Sequence, residues 1–306
     1  MPSIFESLVA AIEQKQPVAL ALLNGVKGSS PQKKGAKALF FADGRMAGTL
    51  GGGCLEAEVR ERARLAIETA QPATFELVLD HDFGWDDGLI CGGKVSGIIL
   101  PEVRSGEQVW RRLQQRDIEF CWGIDLEFNV REVKKEESGG WLYQEQIRPP
   151  TVLWIAGAGH VAQAVAPLAL NLDFAVTVFD DRDSLANHRF FPKETFLRVD
   201  AWERMMETEL PNAPAFGLIV TRGHQHDALV LRNWAHKTFA FLGMIGSQRK
   251  RRLIFERFIE ENVATEEELS RVQCPAGLDI QAVTVPEIAV SIVGQLIQKR
   301  AALCQR

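Results

Sequence analysis

No stretch of this sequence is apolar for long enough to span a bilayer, and no face is basic enough to suit a nucleic acid. Net charge is −5, and the one concentrated basic run is "SQRKRR" at 247–252. The opening residues, "MPSIFESLVAAIEQKQP", lack a basic n-region and break their apolar run with Glu6 and Glu13. No secretory leader is expected from them. Five cysteines at irregular spacing cannot form a paired disulfide framework. None of Cys54, Cys91, Cys121, Cys274 and Cys304 sits in a zinc-ligand pattern, so no metal site is expected. These absences point to a cytoplasmic protein with reduced thiols, without nucleic-acid or membrane partners.

What is present is the composition of a soluble globular protein, 46% apolar and 25% charged over 306 residues, a length that suits two domains. The stretch "KKEESGGWLYQEQIRPP" (134–150) joins a charge run, a glycine pair and a proline pair, and marks a boundary between domains at 1–140 and 150–306. Before it the pattern is irregular α/β. "IFESLVAAIEQ" has helical spacing, "PVALALLNG" reads as a buried strand, and Asp43-Gly44 suits a hairpin turn. "LEAEVRERARLAIETA" reads as an amphipathic helix, and "ATFELVLD" and "KVSGIILP" as strands joined by the polar loop "HDFGWDDGLICGG".

After the boundary, strands and helices alternate: "TVLWIAG", "FAVTVFDD", "FGLIVTRG" and "TFAFLGMIG" are strands, each followed by a helix. That alternation predicts a Rossmann-like, doubly wound parallel sheet behind the mixed α/β first domain. "WIAGAGHVA" places Gly157, Gly159 and Ala162 on the dinucleotide fingerprint, with strand before and helix after. Phosphate is then expected on the helix N-terminus beside His160, and the second strand ends in Asp180-Asp181, where the fingerprint wants an acid for a ribose hydroxyl. "TRGHQHD" follows the next long strand and brings Arg222, His224, His226 and Asp227 to the sheet's carboxyl edge, where they suit contact with phosphate, a metal or a reacting group; the plain alternative makes Asp227 a helix cap and the histidines ordinary loop residues. Ser247 is positioned to cap the following basic helix, which carries Arg249, Lys250, Arg251 and Arg252. Thr284 or Val285 opens the closing helix, with Pro286 in its first turn.

The first domain carries three glycine-rich stretches: "GVKGSSPQKKGAK", "GTLGGGCLEAEV" and "GLICGGKV". Gly51, Gly52 and Gly53 remove every side chain from one spot, and Cys54 follows at a helix start, where the dipole favours thiolate. Cys91 lies against a second glycine cluster. Lys27, Lys33, Lys34 and Lys94 add positive charge. Bare backbone beside a thiol suits a bulky, anionic, sulfur-rich ligand. Buried cysteines acting as small hydrophobes are the plain alternative.

In this order, "GSSPQKKGAKALFFADGRMAGTLGGGCLEAEV", "GLICGGKV", "WIAGAGHVA", "VTRGHQHD", "GMIGSQRKRR" and "CPAGLDIQAVTVPEIAVSIV" resemble the XdhC/CoxI family, accessory factors for xanthine dehydrogenase and related molybdenum hydroxylases. The resemblance implies an XdhC/CoxI domain followed by a Rossmann-like domain. It implies a homodimer that binds molybdenum cofactor (molybdopterin), supports its sulfuration with a cysteine desulfurase, and delivers it to apo xanthine dehydrogenase or a related hydroxylase without turnover of its own. Gly51, Gly52, Gly53, Cys54 and Cys91 then become the cofactor-facing residues, although cysteine after the triple glycine is not constant in that family. Gly157, Gly159, His160, Asp180, Arg222 and His224 would serve NAD(P) or another nucleotide. Two other readings stay open at this point: an NAD(P)-dependent oxidoreductase using His224 or His226 as acid/base, and a nucleotide-binding redox sensor.

Overall fold

The computed structural model describes residues 4–79, 93–101, 103–134, 137, 139–211 and 213–304. The chain divides into compact units Met1–Pro149 and Pro150–Arg306. Among the described residues no helix is long and apolar enough to cross a membrane.

The first unit opens with helix α1 (Ile4–Glu13) and an antiparallel sheet of β1 (Val18–Lys27), β2 (Lys37–Phe41), β3 (Met46–Gly48), β4 (Ala73–Leu79) and β5 (Gly93–Leu100). The order is β3-β2-β1-β5-β4, so β1 is central, and its first six residues are buried. Alternation along β1 sorts them onto two faces. Ala19, Ala21 and Leu23 meet helix α2 (Gly53–Thr69), where two alanines let the helix lie close. Leu20 and Leu22 face the other way, with α1, helix α3 (Glu107–Gln115) and a second, three-stranded sheet. That sheet, β7-β6-β8, comprises β6 (Phe120–Asp125), β7 (Val130–Glu132) and β8 (Trp141–Ile147). The sequence pattern announced neither α3 nor this sheet, and β8 falls inside the charged, glycine-containing stretch. Only Tyr143 of β8 is fully buried, so the strand carries almost none of the apolar alternation that would reveal it.

The second unit is a six-stranded sheet in the order β11-β10-β9-β12-β13-β14, parallel throughout. Its strands are β9 (Thr151–Ala156), β10 (Phe174–Asp180), β11 (Phe196–Val199), β12 (Ala215–Ile219), β13 (Phe241–Met244) and β14 (Val272–Gln273). This is the doubly wound order of dinucleotide-binding folds, with its topological switch point between β9 and β12. The intervening helices are α4 (His160–Asn171), α5 (Trp202–Met206), α6 (His224–Trp234), α7 (Gln248–Glu260), α8 (Glu266–Ser270) and α9 (Val285–Cys304). Leu153 and Ile155 of β9 pack with α4 and α9, while Trp154 and Ala156 pack with α5, α6 and α7, so helices cover both faces. The edge strand β11, with Phe196 and Val199 exposed, was not legible in the sequence because it is short and its side chains do not alternate inward.

Candidate functional site

The triple glycine turns the chain from β3 into α2. Gly51, Gly52 and Gly53 have φ of 119°, 80° and 57°, a left-handed run that disfavours any other residue. Their surroundings differ. A Cβ on Gly51 would stand 2.8 Å from Pro31 Cβ, whereas one on Gly52 would meet nothing within 4 Å. Gly51 is therefore the packing glycine, and Gly52 faces open space. Gly53 is exposed and Cys54 partly buried, in the first turn of α2.

The turn is held by Glu56. Its Oε1 accepts hydrogen bonds from Thr49 Oγ1 (2.6 Å), Leu50 N (2.8 Å) and Gly52 N (3.0 Å), while Gly51 N donates to Thr49 Oγ1 (3.0 Å). Partial burial works to raise the Glu56 pKa, but the bonds from Thr49 and the backbone amides outweigh it and hold it below the usual carboxylate range. Two of the amides that the glycine run seemed to leave bare are thus spent inside the turn. What remains outward is the room at Gly52, the start of α2, which has no side-chain cap, and the Cys54 thiol.

The other glycine stretches of this unit meet the same loop. A Cβ on Gly93, at the start of β5, would fall 1.9 Å from Ser29 O, so β5 presses directly on the backbone of the "GSSPQKKG" loop whose Pro31 touches Gly51. Within that loop Ser30 Oγ is buried and has no hydrogen-bond partner. Lys27 and Lys94 stand opposite each other in the β1–β5 register, and Lys94 pairs with Glu76. Cys91 and the polar loop "HDFGWDDG" lie outside the described residues.

The far end of the loop is anchored by a lysine that sequence reasoning missed. Lys37 Nζ is buried and donates to Gly35 O (2.9 Å) and Glu145 Oε2 (2.7 Å), with the rings of Phe5, Trp122 and Tyr143 all within about 6 Å. Glu145 Oε2 also accepts from Trp122 Nε1 at 3.1 Å. Burial pushes the Lys37 ammonium down against the pull of Glu145, and burial followed by Glu145 pushes the Tyr143 phenol up. A lone lysine between apolar residues in "GAKALFF" was the available signal, since such a charge needs a partner when the strand is buried.

In the second unit, Gly157 has φ 109°, and a Cβ there would lie 2.5 Å from Val220 O, so glycine is required for β9 and β12 to close at the switch point. A Cβ on Gly159 or Gly223 would meet nothing within 4 Å, and each precedes a helix without a side-chain cap, α4 and α6 respectively. His160 and His224 are exposed in the first turns. Asp180 is 1% exposed. Its Oδ2 accepts from Ala158 N (2.7 Å) and Arg182 Nη2 (2.8 Å), and its Oδ1 from Arg182 N (3.0 Å) and Nε (2.8 Å). Burial raises its pKa, yet the Arg182 guanidinium and the amides win and hold it low. The acid at the rim is the next residue: Asp181 Oδ2 accepts from Arg222 Nη2 at 2.9 Å, and Arg222 also donates to His226 Nε2 at 3.2 Å. Asp227 is not a cap. Gly223 holds the N-cap position of α6, and Asp227, inside the first turn, is buried, accepting from Thr221 Oγ1 (2.6 Å), Thr221 N (3.1 Å) and Lys250 Nζ. Ser247 does cap α7, accepting from Lys250 N.

Comparison with known proteins follows these two regions. Residues 11–78 match the XdhC and CoxI family model, and residues 153–296 match the XdhC Rossmann domain. The uncharacterized protein YqeB of Escherichia coli K12 is 29% identical over 97% of this chain, which spans only 46% of that protein. A probable xanthine dehydrogenase subunit of Bacillus subtilis 168 is 26% identical, with 98% of both chains covered. The molybdenum cofactor insertion chaperone PaoD of E. coli K12 is 22% identical over 97% of this chain and 88% of its own. A crystal structure of a xanthine dehydrogenase from Bacillus halodurans superposes with a TM-score of 0.83 at 26% identity, covering 98% of this chain and 96% of the other. The motif order, the two matched regions and the shared architecture make this chain a member of the XdhC/CoxI family.

Proposed function

We propose that this protein binds molybdenum cofactor in its first unit, supports the sulfuration of that cofactor together with a cysteine desulfurase, and delivers it to apo xanthine dehydrogenase or a related molybdenum hydroxylase. The observation that carries the reading is the opening at Gly52 beside the partly buried Cys54. Removing a side chain there admits a wide, flat ligand to the backbone. Cys54 supplies a soft sulfur next to it, the donor type that suits molybdenum and its sulfur ligands. The exposed Lys27, at the end of β1 that runs into the neighbouring loop, adds positive charge suited to a phosphorylated pterin. The names of PaoD and of the B. subtilis relative support the same assignment.

An oxidoreductase working through the second unit has less support, because the acid expected to hold a ribose, Asp180, already accepts four hydrogen bonds from its own chain. The test is retention. Full-length protein mixed anaerobically with molybdenum cofactor is expected to carry molybdenum and pterin through gel filtration in stoichiometric amount. Passage of the protein free of both would refute the proposal.

A further inference from the structure

The second unit has a crevice whose recognition chemistry departs from its fingerprint. In a nicotinamide-dinucleotide site, the acid at the end of the second strand holds the adenosine ribose by its hydroxyls. Here the strand ends in Asp180-Asp181: both oxygens of Asp180 are taken, and Asp181 is engaged by Arg222 at 2.9 Å and lies 3.8 Å from Arg182 Nε, which still faces it when Arg222 leaves. On Asp180, Ala158 N sits on Oδ2 at 2.7 Å, Arg182 binds in bidentate fashion at 2.8 Å on each oxygen, and Arg182 N adds a fourth bond at 3.0 Å. With 1% of its surface exposed, Asp180 has neither the lone pairs nor the access to serve a diol.

The groups left at the rim have different chemistry. Arg222 is an exposed guanidinium at the carboxyl end of β12, held by Asp181 at 2.9 Å and donating to His226 at 3.2 Å. Its planar fork suits the bidentate grip of a phosphate, and its present carboxylate partner occupies it as a counter-anion would. The His226 ring packs on Trp202 at 6.1 Å between centroids, and the Trp202 indole N–H is buried without a partner. Gly159 and Gly223 leave the crevice open where the side chains of any other residue would stand.

We infer that this crevice binds a phosphate-bearing ligand through Arg222, in exchange for Asp181, and does not read the ribose diol that defines nicotinamide-dinucleotide recognition. Asp181 acts as a built-in competitor that an incoming phosphate must displace. The inference stands apart from the cofactor reading of the first unit, and either can fail without the other. The phosphate can belong to a free nucleotide or to a phosphorylated pterin, and the ligand series below separates these sources.

Calorimetric titration of the full-length protein with pyrophosphate, ADP, 2′-deoxy-ADP and molybdopterin tests the inference. Pyrophosphate, ADP and 2′-deoxy-ADP are expected to bind, the last two within about fivefold of each other. A site built around the hydroxyl would penalise its loss by orders of magnitude. Arg222→Gln is expected to weaken all three by about tenfold or more, Arg222→Lys to recover part of the loss, and Asp181→Asn to strengthen binding. Circular dichroism on each variant confirms that the fold persists. Tighter binding of ADP than of pyrophosphate names a nucleotide as the source, and Arg222-dependent binding of molybdopterin above both names the pterin. Failure of pyrophosphate and ADP to bind, a loss of more than fivefold on removing the 2′-hydroxyl, or indifference to Arg222→Gln would each overturn the inference.

Discussion

Gly51 and Gly52 are neighbours of one residue type and do different things. At Gly51 an added methyl group would collide with Pro31 at 2.8 Å, so Gly51→Ala must move the loop or the turn. At Gly52 the added group has room, and the cost is that of the backbone itself, whose φ of 80° and ψ of −175° form a conformation essentially reserved for glycine, about 1–3 kcal/mol for a residue with a Cβ. Gly52→Val is therefore expected to stay folded, with a melting temperature a few degrees lower, while losing cofactor retention. Cys54→Ala, at a partly buried position, is expected to leave thermal stability nearly unchanged and to weaken retention of the sulfurated cofactor. Glu56 adds a pH signature. Its pKa is lowered in the folded chain, so its stabilising bonds are complete above the ordinary carboxylate value and are lost as pH falls through the folded value. Denaturant midpoints measured from pH 6 down to pH 3 are expected to fall less steeply for Glu56→Gln than for the unaltered chain, and identical slopes would contradict this. The residues that could be read in the sequence were the glycines and the cysteine, because rarity and clustering mark them. Nothing in "GGGCLEAEV" shows that the Glu56 carboxylate folds back seven residues to Thr49.

At the scale of elements, two buried charges tie structure together through partners the sequence does not reveal. Lys37 of β2 reaches Glu145 of β8, joining the five-stranded and three-stranded sheets of the first unit through an aromatic enclosure. Asp180 ties the end of β10 to the glycine turn after β9. Removing one member of a buried pair leaves the other uncompensated, and with Arg182 partly exposed the cost lies near the low end of that range, about 3 kcal/mol. Asp180→Asn is thus expected to lower the urea midpoint clearly, whereas Asp181→Asn, at the rim, is expected to change it little. Equal effects would show that the two acids share one environment. In the second unit β9, β12 and β13 were legible because they are continuous apolar runs each followed by a helix, the pattern of strands buried on both faces, whereas β10 leads into the edge strand β11 before α5 is reached. The edge strand β11 and the sheet β7-β6-β8 were not, because edge and half-exposed strands do not need apolar side chains at every second position.

On the scale of the whole chain, the family's two regions fall on units that each carry their own hydrophobic core: one built around the central strand β1, the other around β9 and β12. The sequence motifs therefore sort into two places, with "GTLGGGC" in one and "GAGHVA" and "TRGHQHD" in the other. The general architecture was legible from strand–helix rhythm and from the ordered motifs. The distribution of chemistry within each unit was not, because it depends on which carboxylate turns inward and which faces out. Asp180 and Asp181 are adjacent and identical in type, and burial alone separates their roles.

The proposed function rests on the opening at Gly52 serving as a receptacle for molybdenum cofactor. Unaltered protein and Gly52→Val, loaded with cofactor side by side under anaerobic conditions, put this to the test when molybdenum and pterin are measured in the protein peak after gel filtration. Near-stoichiometric molybdenum is expected in the first and at least about a tenfold loss in the second, with both proteins folded. Equal retention by the two, or retention by neither, would contradict it.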